Sequence, residues 1–346
     1  MTKPSKTPVS VLLTGAAGYI GRLTLTALVA RRDGQRGSAG TEDDAVPAER
    51  PVGRIVATDV REVPAAQRLA GVDYRVADVR SPILGELVRE VQPEVVAHLA
   101  AIVSPGRKPN RALEHSVDVL GTENVLEHCV AAGVQKLIVT SSGAAYGYHA
   151  DNPDWLSEGD ALRGNVEFAY SDHTRQVEEL LARARQAHPQ LQQLVLRPGT
   201  VLGAGTANQI TDLFDARVVV GVRGAPTPFV FIWDQDVAEI VARGVCGPIT
   251  GVFNLAGDGA VPLRELARMM GKPYLPLPAS LLKSALWVLK RAGRTPYGPE
   301  QVDFLRYRPV LSNQHLKEHF AHTPRLSSRE VFEHFLADRR RTAPTP

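Results

Sequence analysis

The sequence predicts an α/β protein with a doubly wound parallel sheet and a smaller, less regular region toward the C-terminus. Three observations predict this class. Short apolar, β-rich runs alternate with stretches of helical periodicity. A glycine-rich turn joins the first run to the first helix, and the fourth run ends in small residues. Such features are typical of strands whose carboxyl ends bring the backbone close to a ligand.

The first strand and helix are joined through three glycines at a spacing of three residues. The apolar run from Val9 leads through Gly15, Gly18 and Gly21 into a helix that continues to Val29. Glycines let the backbone turn sharply and approach a pyrophosphate, and the free N–H groups at the positive end of the helix hold the anion. The pattern therefore predicts a Rossmann-type dinucleotide site, with an ordinary tight turn as the alternative.

The second strand, residues 54–59, ends in Asp59. An acid at this strand tip accepts hydrogen bonds from the adenosine ribose and repels a 2′-phosphate, so Asp59 favours NAD over NADP. Arg61 keeps NADP open, and a plain strand-ending aspartate is the alternative. The acid follows the glycine turn by more than the usual separation of about 20 residues. Residues 33–53, which are polar and glycine-rich, are interpreted as a surface insertion that explains the excess.

Four further apolar runs extend the predicted sheet, and a helix through residues 118–126 precedes the third of them. Asp78, at the end of the first of these runs, is expected to reach the adenine amino group of the cofactor. His98, in the second, is interpreted as a core histidine with hydrogen-bond partners rather than as a base. The four runs are residues 72–78, 93–101, 136–142 and 193–199.

Composition argues against several classes of protein. The 346 residues are 44% hydrophobic, which suffices for a sizeable core, and 40 basic against 37 acidic residues leave a net charge of only +3. The basic excess lies at the two ends without interleaved aromatic residues, so no nucleic-acid partner is expected. Cys129 and Cys246 have no cysteine nearby, which argues against a disulfide scaffold or a zinc site. Neither a leader segment nor an apolar run of roughly 20 residues is seen, so we expect a cytoplasmic protein without stable membrane insertion.

Five motifs together carry a family resemblance. They occupy residues 14–21, 98–101, 140–147, 196–203 and 236–239. They resemble the extended (atypical) branch of the short-chain dehydrogenase/reductase superfamily, the NAD-dependent epimerase/dehydratase family. The resemblance implies a Rossmann-type sheet followed by a smaller C-terminal substrate-binding region. The predicted division is a flexible tail at 1–8, an NAD(P)-binding domain at 9–203 with the insertion at 33–53, a mainly substrate-binding region at 204–338 whose residues 229–257 return a strand and a helix to the core, and a tail at 339–346.

The resemblance also implies catalytic residues. Ser142 stands five residues before the glycine of a Tyr-Gly pair, where the family has a Ser or Thr that binds the substrate oxygen, and Tyr170 matches the catalytic tyrosine. Four residues after that tyrosine the family places a lysine, whose charge lowers the pKa of the phenol from about 10. This chain has Thr174 there, which carries no charge. By helical geometry His173 could approach the phenol, whereas Arg175 faces elsewhere.

The same resemblance implies the residues around the cofactor, which lie in the glycine turn, at strand ends and on the catalytic helix. No metal site is expected, because Asp236 is interpreted as a helix N-cap rather than as half of a metal pair with Asp234. Residues 278–291 are amphipathic and are interpreted as a lid or core helix rather than a membrane-surface helix. The cofactor set is Gly15, Ala17, Gly18, Tyr19, Ile20, Gly21, Asp59, Asp78, Val79, Leu99, Ala100, Ala101, Tyr170 and Pro198.

These expectations define three candidate functions. The first is an NAD(P)-dependent oxidoreductase that transfers a hydride between nicotinamide and a carbonyl or alcohol substrate, with Tyr170 handling the proton and Ser142 orienting the oxygen. The second is an NAD-dependent epimerase or dehydratase on a sugar-like substrate, which uses the same groups with transient oxidation. The third is a catalytically weak or inactive NAD(P)-binding sensor or scaffold, which Thr174 motivates. The expected partner is a small-molecule substrate, and the resemblance leaves a homodimer open.

Overall fold

The computed structural model describes residues 7–35, 49–103, 109–206, 209–295 and 298–342. Its strands, in chain order, are β1 (Val9–Thr14), β2 (Val52–Asp59), β3 (Val72–Val76), β4 (Val95–His98), β5 (Lys136–Thr140), β6 (Gln192–Pro198), β7 (Thr200–Leu202), β8 (Val219–Val222), β9 (Pro228–Phe229), β10 (Phe231–Trp233), β11 (Gly251–Leu255), β12 (Val261–Pro262) and β13 (Tyr274–Leu277).

The α-helices are numbered separately. A π-helical turn, Ser116–Leu120, joins α3 to α4, and a 3-10 turn, Gly143–Tyr146, follows β5. The helices, in chain order, are α1 (Tyr19–Arg32), α2 (Pro82–Val91), α3 (Arg111–His115), α4 (Gly121–Ala131), α5 (Ala169–Ala187), α6 (Gln209–Asp215), α7 (Asp234–Cys246), α8 (Leu263–Met269), α9 (Ala279–Arg291), α10 (Gln301–Arg306), α11 (Gln314–His319) and α12 (Ser328–Thr342).

Seven strands form one parallel sheet in the order β11-β6-β5-β4-β1-β2-β3. This confirms the predicted doubly wound parallel sheet. The order of the strands reverses between β1 and β4, and in such sheets the ligand crevice opens at the carboxyl ends beside that point. At this edge Thr14 of β1 pairs with Thr58 of β2 on one side and with His98 of β4 on the other.

The two faces of the sheet carry separate hydrophobic clusters. Successive strand residues point to opposite faces, so Leu13 packs with apolar residues of α1 and α7, whereas Leu12 packs with those of α2, α4 and α5. Both faces are therefore covered, which explains why the strands read as nearly continuous apolar runs in the sequence.

A third cluster fills the C-terminal region with aromatic side chains that are nearly all inaccessible to solvent. The rings of Phe229 and Phe231 stack 5.7 Å apart, and Phe231 stacks on Phe332 at 5.5 Å. This region is tied back to the sheet, because β11 pairs with β6 and α7 packs on α1.

The predicted C-terminal tail requires correction, because α12 runs to Thr342 and residues 339–342 are therefore helical. Buried Phe332 and Phe335 fix the helix to the aromatic cluster, and no proline interrupts it before Pro344. Arg339 pairs with Asp215 at 2.6 Å. Of the other tail and insertion residues, 1–6, 36–48 and 343–346 lie outside the described ranges.

Of the two interpretations of residues 278–291, a lid or a core helix, the core helix is wrong, because none of the residues of α9 is buried. Trp287 and Val288 are each 56% exposed, so this helix covers no core. None of the helices in the described ranges combines the length and the apolar character that a membrane crossing requires.

Candidate active site

The glycine turn lies at the carboxyl end of β1, over the end of β4. Gly15 has a φ of +77°, and a Cβ there would lie 2.7 Å from the backbone nitrogen of Ala100. A Cβ on Gly21 would overlap the carbonyl oxygen of Gly15. Gly18 is the N-cap of α1, and the first turn of that helix contains no acidic residue. Glycine therefore occupies the positions where two backbone segments pass close to each other. The first N–H groups of α1 have no side-chain cap and can bind an anion.

Asp59 joins the end of β2 to this turn. Its Oδ2 accepts a hydrogen bond from the Ala17 N–H at 3.0 Å, and its Oδ1 accepts one from the Arg61 N–H at 3.0 Å. The guanidinium of Arg61 lies 3.6 Å from Oδ1, and its side chain is 72% exposed. The carboxylate thus holds the strand end against the glycine turn, with an exposed cation beside it.

Asp78 follows β3 at the same edge of the sheet, where Arg80 engages it. The two side chains form an ion pair at 2.6 Å, and this hydrogen-bonded pairing lowers the pKa of Asp78. Any hydrogen bond from an adenine amino group to Asp78 therefore competes with Arg80. The neighbouring Val79 is buried against Gly121, where a Cβ would lie 2.8 Å from the Val79 side chain.

His98 bridges β4 to β1 and to α4, which confirms its interpretation as a core histidine. Thr122 donates its hydroxyl proton to the Asp118 carbonyl at 2.6 Å, so it accepts a hydrogen bond from His98 Nε2 at 3.0 Å. His98 Nδ1 then accepts the Thr14 hydroxyl proton at 2.8 Å. Burial lowers the pKa of His98 to about 4, so the ring is neutral at pH 7. Both ring nitrogens are used in structure rather than in proton transfer.

Ser142 and Tyr170 meet beyond the carboxyl end of β5. Ser142 is the N-cap of the 3-10 turn, and its Oγ accepts a hydrogen bond from the Ala144 N–H at 3.1 Å. Burial raises the pKa of Tyr170 to about 12, hydrogen bonding with the Ser142 side chain lowers it, and the charges of Asp118 and Tyr148 raise it. The phenol is therefore protonated at neutral pH.

Thr174 does not supply the positive charge that a lysine at this position would carry. Its hydroxyl donates to the Tyr170 carbonyl at 2.7 Å and lies 3.1 Å from the Ser171 carbonyl oxygen. The proton of the hydroxyl is therefore committed to the backbone of the preceding turn of α5. The residue is only 8% exposed, so it fills space at this position without contributing a cation.

The side chains of the two residues that flank Thr174, His173 and Arg175, point in different directions. Arg175 pairs with Asp172 at 2.8 Å and with Glu179 at 2.5 Å, so it faces away from the phenol, as predicted. His173 is 1% exposed, and its Nδ1 lies 3.6 Å from Asp118 Oδ2. On α5 the His173 side chain therefore faces the buried side chain of Asp118 rather than solvent.

A buried ion pair between Arg197 and Glu178 connects the helix that carries Tyr170 to the sheet. Arg197 at the end of β6 donates from Nε to Glu178 Oε1 at 2.7 Å, and the Ser141 hydroxyl donates to the same oxygen at 2.6 Å. Arg197 also donates from Nη1 to the hydroxyl of Tyr146 at 2.7 Å, and that hydroxyl lies 2.9 Å from Asn254 Oδ1. The network ties α5, which carries Tyr170, to the ends of β5, β6 and β11.

A second link joins the start of α1 to α7. The Tyr19 hydroxyl donates to the carboxylate of Asp234, and Thr206 Oγ1 lies 3.0 Å from the same hydroxyl. The interpretation of Asp236 as an N-cap is wrong, because β10 ends at Trp233 and α7 already begins at Asp234. Asp236 instead binds the guanidinium of Arg325 at 3.0 Å, so each carboxylate has its own protein partner.

A cavity of about 400 Å³ is lined by Tyr148, which follows the 3-10 turn, and by Phe168, the N-cap of α5. The rings of Tyr148 and Phe168 are 5.5 Å apart, and Phe304 packs 4.6 Å from Tyr148. The guanidinium of Arg308 lies over the Phe304 ring at 5.0 Å, and its Nη1 is buried without a hydrogen-bond partner in the part of the chain that the structure describes. The lining includes Tyr148, Asn165, Phe168, Lys283, Asp303 and Arg306.

The model of the NAD dependent epimerase/dehydratase family matches residues 11–222, which is more than half of the chain. The chain belongs to this family. The match spans the glycine turn, the Ser142–Tyr170 pair and the strands that carry them, and it confirms the resemblance inferred from the five motifs.

Several curated proteins and solved structures are similar to this chain. An uncharacterized protein of Mycobacterium tuberculosis is 22% identical over 96% of this chain and 84% of its own length. The UDP-glucose 4-epimerase of Mycolicibacterium smegmatis is 33% identical, over 39% of each chain. Among solved structures, the enzyme WbmG from Bordetella bronchiseptica in complex with NAD and UDP is 17% identical with a TM-score of 0.71, covering 98% of this chain and 96% of its own.

A second solved structure, the UDP-glucose 4-epimerase of Thermotoga maritima with UDP-glucose, is 18% identical with a TM-score of 0.69. It covers 96% of this chain and 99% of its own. At these identities the structural likeness supports the fold of the epimerase/dehydratase family and leaves the chemistry to the residues of this chain.

Sequence reasoning missed three polar residues that the structure buries wholly or in part around the candidate site: Asp118, Tyr148 and Arg308. The sequence predicts a helix around Asp118 but does not show that the helix buries this polar residue. Tyr148 follows the Tyr-Gly pair by one residue, and Arg308 lies far along the chain, where no motif marks it. For Asp118 the available signal was its place next to the apolar residues of a helix that precedes a central strand.

Proposed function

We propose that this protein is an NAD-dependent oxidoreductase that transfers a hydride between nicotinamide and the carbon of a carbonyl or alcohol. The observation that carries the proposal is the meeting of Ser142 and Tyr170 at the same sheet edge as the glycine turn. Membership of the NAD dependent epimerase/dehydratase family supports the choice of cofactor. The likeness to WbmG, whose structure contains NAD, agrees with it.

The residues of the glycine turn fit a dinucleotide. Gly15, Gly18 and Gly21 let the turn fold tightly against neighbouring backbone, and the uncapped start of α1 suits a pyrophosphate. Asp59 lies where a ribose hydroxyl would donate to it, and the remaining cofactor contacts are proposed as the sequence predicts them. When bound, the nicotinamide supplies or accepts the hydride.

The side chains of the site have separate tasks in this proposal. The Ser142 hydroxyl orients the substrate oxygen, and the Tyr170 phenol donates a proton to that oxygen as a carbonyl is reduced. A phenol with a pKa of about 12 holds its proton across the neutral range. Thr174 contributes packing, because its hydroxyl is bound to the helix backbone.

A second candidate is an epimerase or dehydratase acting on a sugar-like substrate, and Arg308 favours it. Its Nη1 is buried with no hydrogen-bond partner among the described residues, so an anionic group on the substrate would satisfy it. A nucleoside diphosphate carries such a group. The structures of WbmG and of the Thermotoga maritima epimerase contain UDP and UDP-glucose, respectively.

The third candidate, a sensor or scaffold without turnover, is motivated by Thr174 and is tested together with the first two. NADH and NADPH oxidation is measured with a panel of aldehydes and ketones, and isomer exchange is measured with UDP-sugars. The natural chain is compared with Thr174→Lys, and Tyr170→Phe gives the background. We expect turnover of at least one substrate by the natural chain. Turnover by the Thr174→Lys variant alone would favour the scaffold.

Asp59→Ala is expected to reduce the preference for NADH over NADPH by about tenfold. The substitution removes the acceptor for the ribose hydroxyl and the negative charge that repels a 2′-phosphate, and it leaves Arg61 beside the turn. Fluorescence titration with both cofactors measures the ratio of the dissociation constants. Asp73→Ala, which removes a carboxylate on the next strand, is the matched control. An unchanged ratio in Asp59→Ala would place the ribose elsewhere.

A further inference from the structure

Three unpaired polar atoms lie together close enough to Tyr170 for the charge of Asp118 to act on its phenol. Asp118 Oδ2 and both ring nitrogens of His173 are buried and have no hydrogen-bond partner within the described ranges. The two side chains are 6% and 1% exposed, and Oδ2 lies 3.6 Å from Nδ1. Buried polar groups are nearly always hydrogen-bonded, and leaving one unpaired is destabilising. Three such atoms in one place therefore call for a functional explanation.

The backbone fixes Asp118 in this position. It lies in the π-helical turn between α3 and α4, a distortion that proteins often keep at functional sites. Its Oδ1 accepts a hydrogen bond from the Ile102 N–H at 2.8 Å, which leaves Oδ2 for the histidine. Burial raises the pKa of Asp118 to about 7, the bond from Ile102 opposes this, and the carboxylate of Glu114 adds to it.

His173 lies on α5, three residues after Tyr170. Its ring packs edge-on against His115, with 5.3 Å between ring centroids. Burial lowers the pKa of His173 to about 4, the charges of Arg111 and His115 lower it further, and Asp172 opposes them. Burial therefore makes a charge on the Asp118 carboxylate or on the His173 imidazole unfavourable by itself. Because the two groups lie side by side, a charge on one can be offset by the opposite charge on the other.

We propose that Asp118 and His173 share one titratable proton, and that this buried pair, in place of a lysine, sets how strongly the Tyr170 phenol holds its proton. With its proton, the pair is neutral overall. Without it, the pair carries the negative charge of Asp118, which acts on Tyr170 and favours the protonated phenol. A lysine would have the opposite effect. The pair thus acts through Tyr170: the phenol stays protonated near neutral pH in both states of the pair, and the charge of the pair adjusts how readily the proton is donated to a carbonyl oxygen. This inference deepens the proposed function and rests on it for the role of Tyr170.

The first test follows the His173 ring by nitrogen NMR on the purified full chain from about pH 5 to about pH 9. His173→Gln assigns the signal. In the natural chain we expect a transition near pH 7, because the ring senses the proton that it shares with Asp118. In Asp118→Asn this transition disappears. Glu123→Gln, which changes an exposed carboxylate on the adjoining helix, is expected to keep it. A natural chain whose His173 signal does not change near neutral pH overturns the proposal.

The second test measures the Tyr170 phenol directly. Tyrosinate absorbance of each protein, minus that of the same protein carrying Tyr170→Phe, isolates the ionisation of this one residue. Asp118→Asn is expected to lower the pKa of Tyr170 by about one unit, because the negative charge is removed. An unchanged pKa would show that the pair does not act on the tyrosine and would also overturn the proposal.

Neither measurement uses a cofactor or a substrate. Failure of the carbonyl panel would therefore count against the proposed function while leaving both titrations interpretable. Conversely, an active enzyme in which His173 shows no transition would retain the oxidoreductase function and lose the proton-sharing pair.

Discussion

Replacing Tyr170 with phenylalanine is expected to lower kcat by about 10³-fold while changing the affinity for NADH little. The substitution removes the hydroxyl that meets Ser142 and keeps the ring that fills the space. Steady-state kinetics with the best substrate of the panel measure the loss, and fluorescence titration measures NADH binding. Tyr274→Phe removes a phenol from the C-terminal region and is expected to behave as the natural chain.

The pH dependence separates the roles of the groups at this site. Because burial holds the pKa of Tyr170 at about 12, loss of its proton does not shape the rate of reduction near neutral pH. A transition near pH 7 in the rate would instead follow Asp118. Retention of activity in Tyr170→Phe would transfer the proton donation to another residue and remove the basis of the proposed mechanism.

Glu178→Ala is expected to lower the free energy of unfolding by about 3–5 kcal/mol. Glu178 and Arg197 are nearly inaccessible, with side-chain exposures of 2% and 6%, so the substitution leaves a buried guanidinium without its carboxylate. The Ser141 hydroxyl loses its acceptor as well. Urea denaturation followed by circular dichroism measures the change.

Glu179→Ala is the matched control, since it removes the carboxylate of the next residue on the same helix. Glu179 pairs with Arg175 and is 47% exposed, and an ion pair in solvent is worth only about 0–1 kcal/mol. Equal losses in the two variants would contradict the structural role of the buried pair. The double variant Glu178→Leu with Arg197→Met is expected to recover part of the stability, because it leaves no buried charge unpaired.

Local pattern was sufficient to predict the geometry of the glycine turn and of the strand end beside it. The glycines predict the turn because their spacing and φ requirement are properties of a short stretch of backbone. Asp59 was found at a strand tip for the same reason, and the structure places it in contact with the turn. The error at Asp236 was also local: the sequence did not show that β10 runs directly into α7 without a loop for a cap.

The sequence alone therefore determined the doubly wound sheet, the family, and the fact that Thr174 stands where the family has a lysine. These follow from periodicity and motifs, which are encoded within a few turns of chain. The environment of Tyr170 was decided by tertiary structure. Asp118 and His173 are 55 positions apart in the sequence, and only the packing of the π-helical turn against α5 brings them to 3.6 Å and removes water from both. Burial sets their pKa values, and burial is a property of the whole fold.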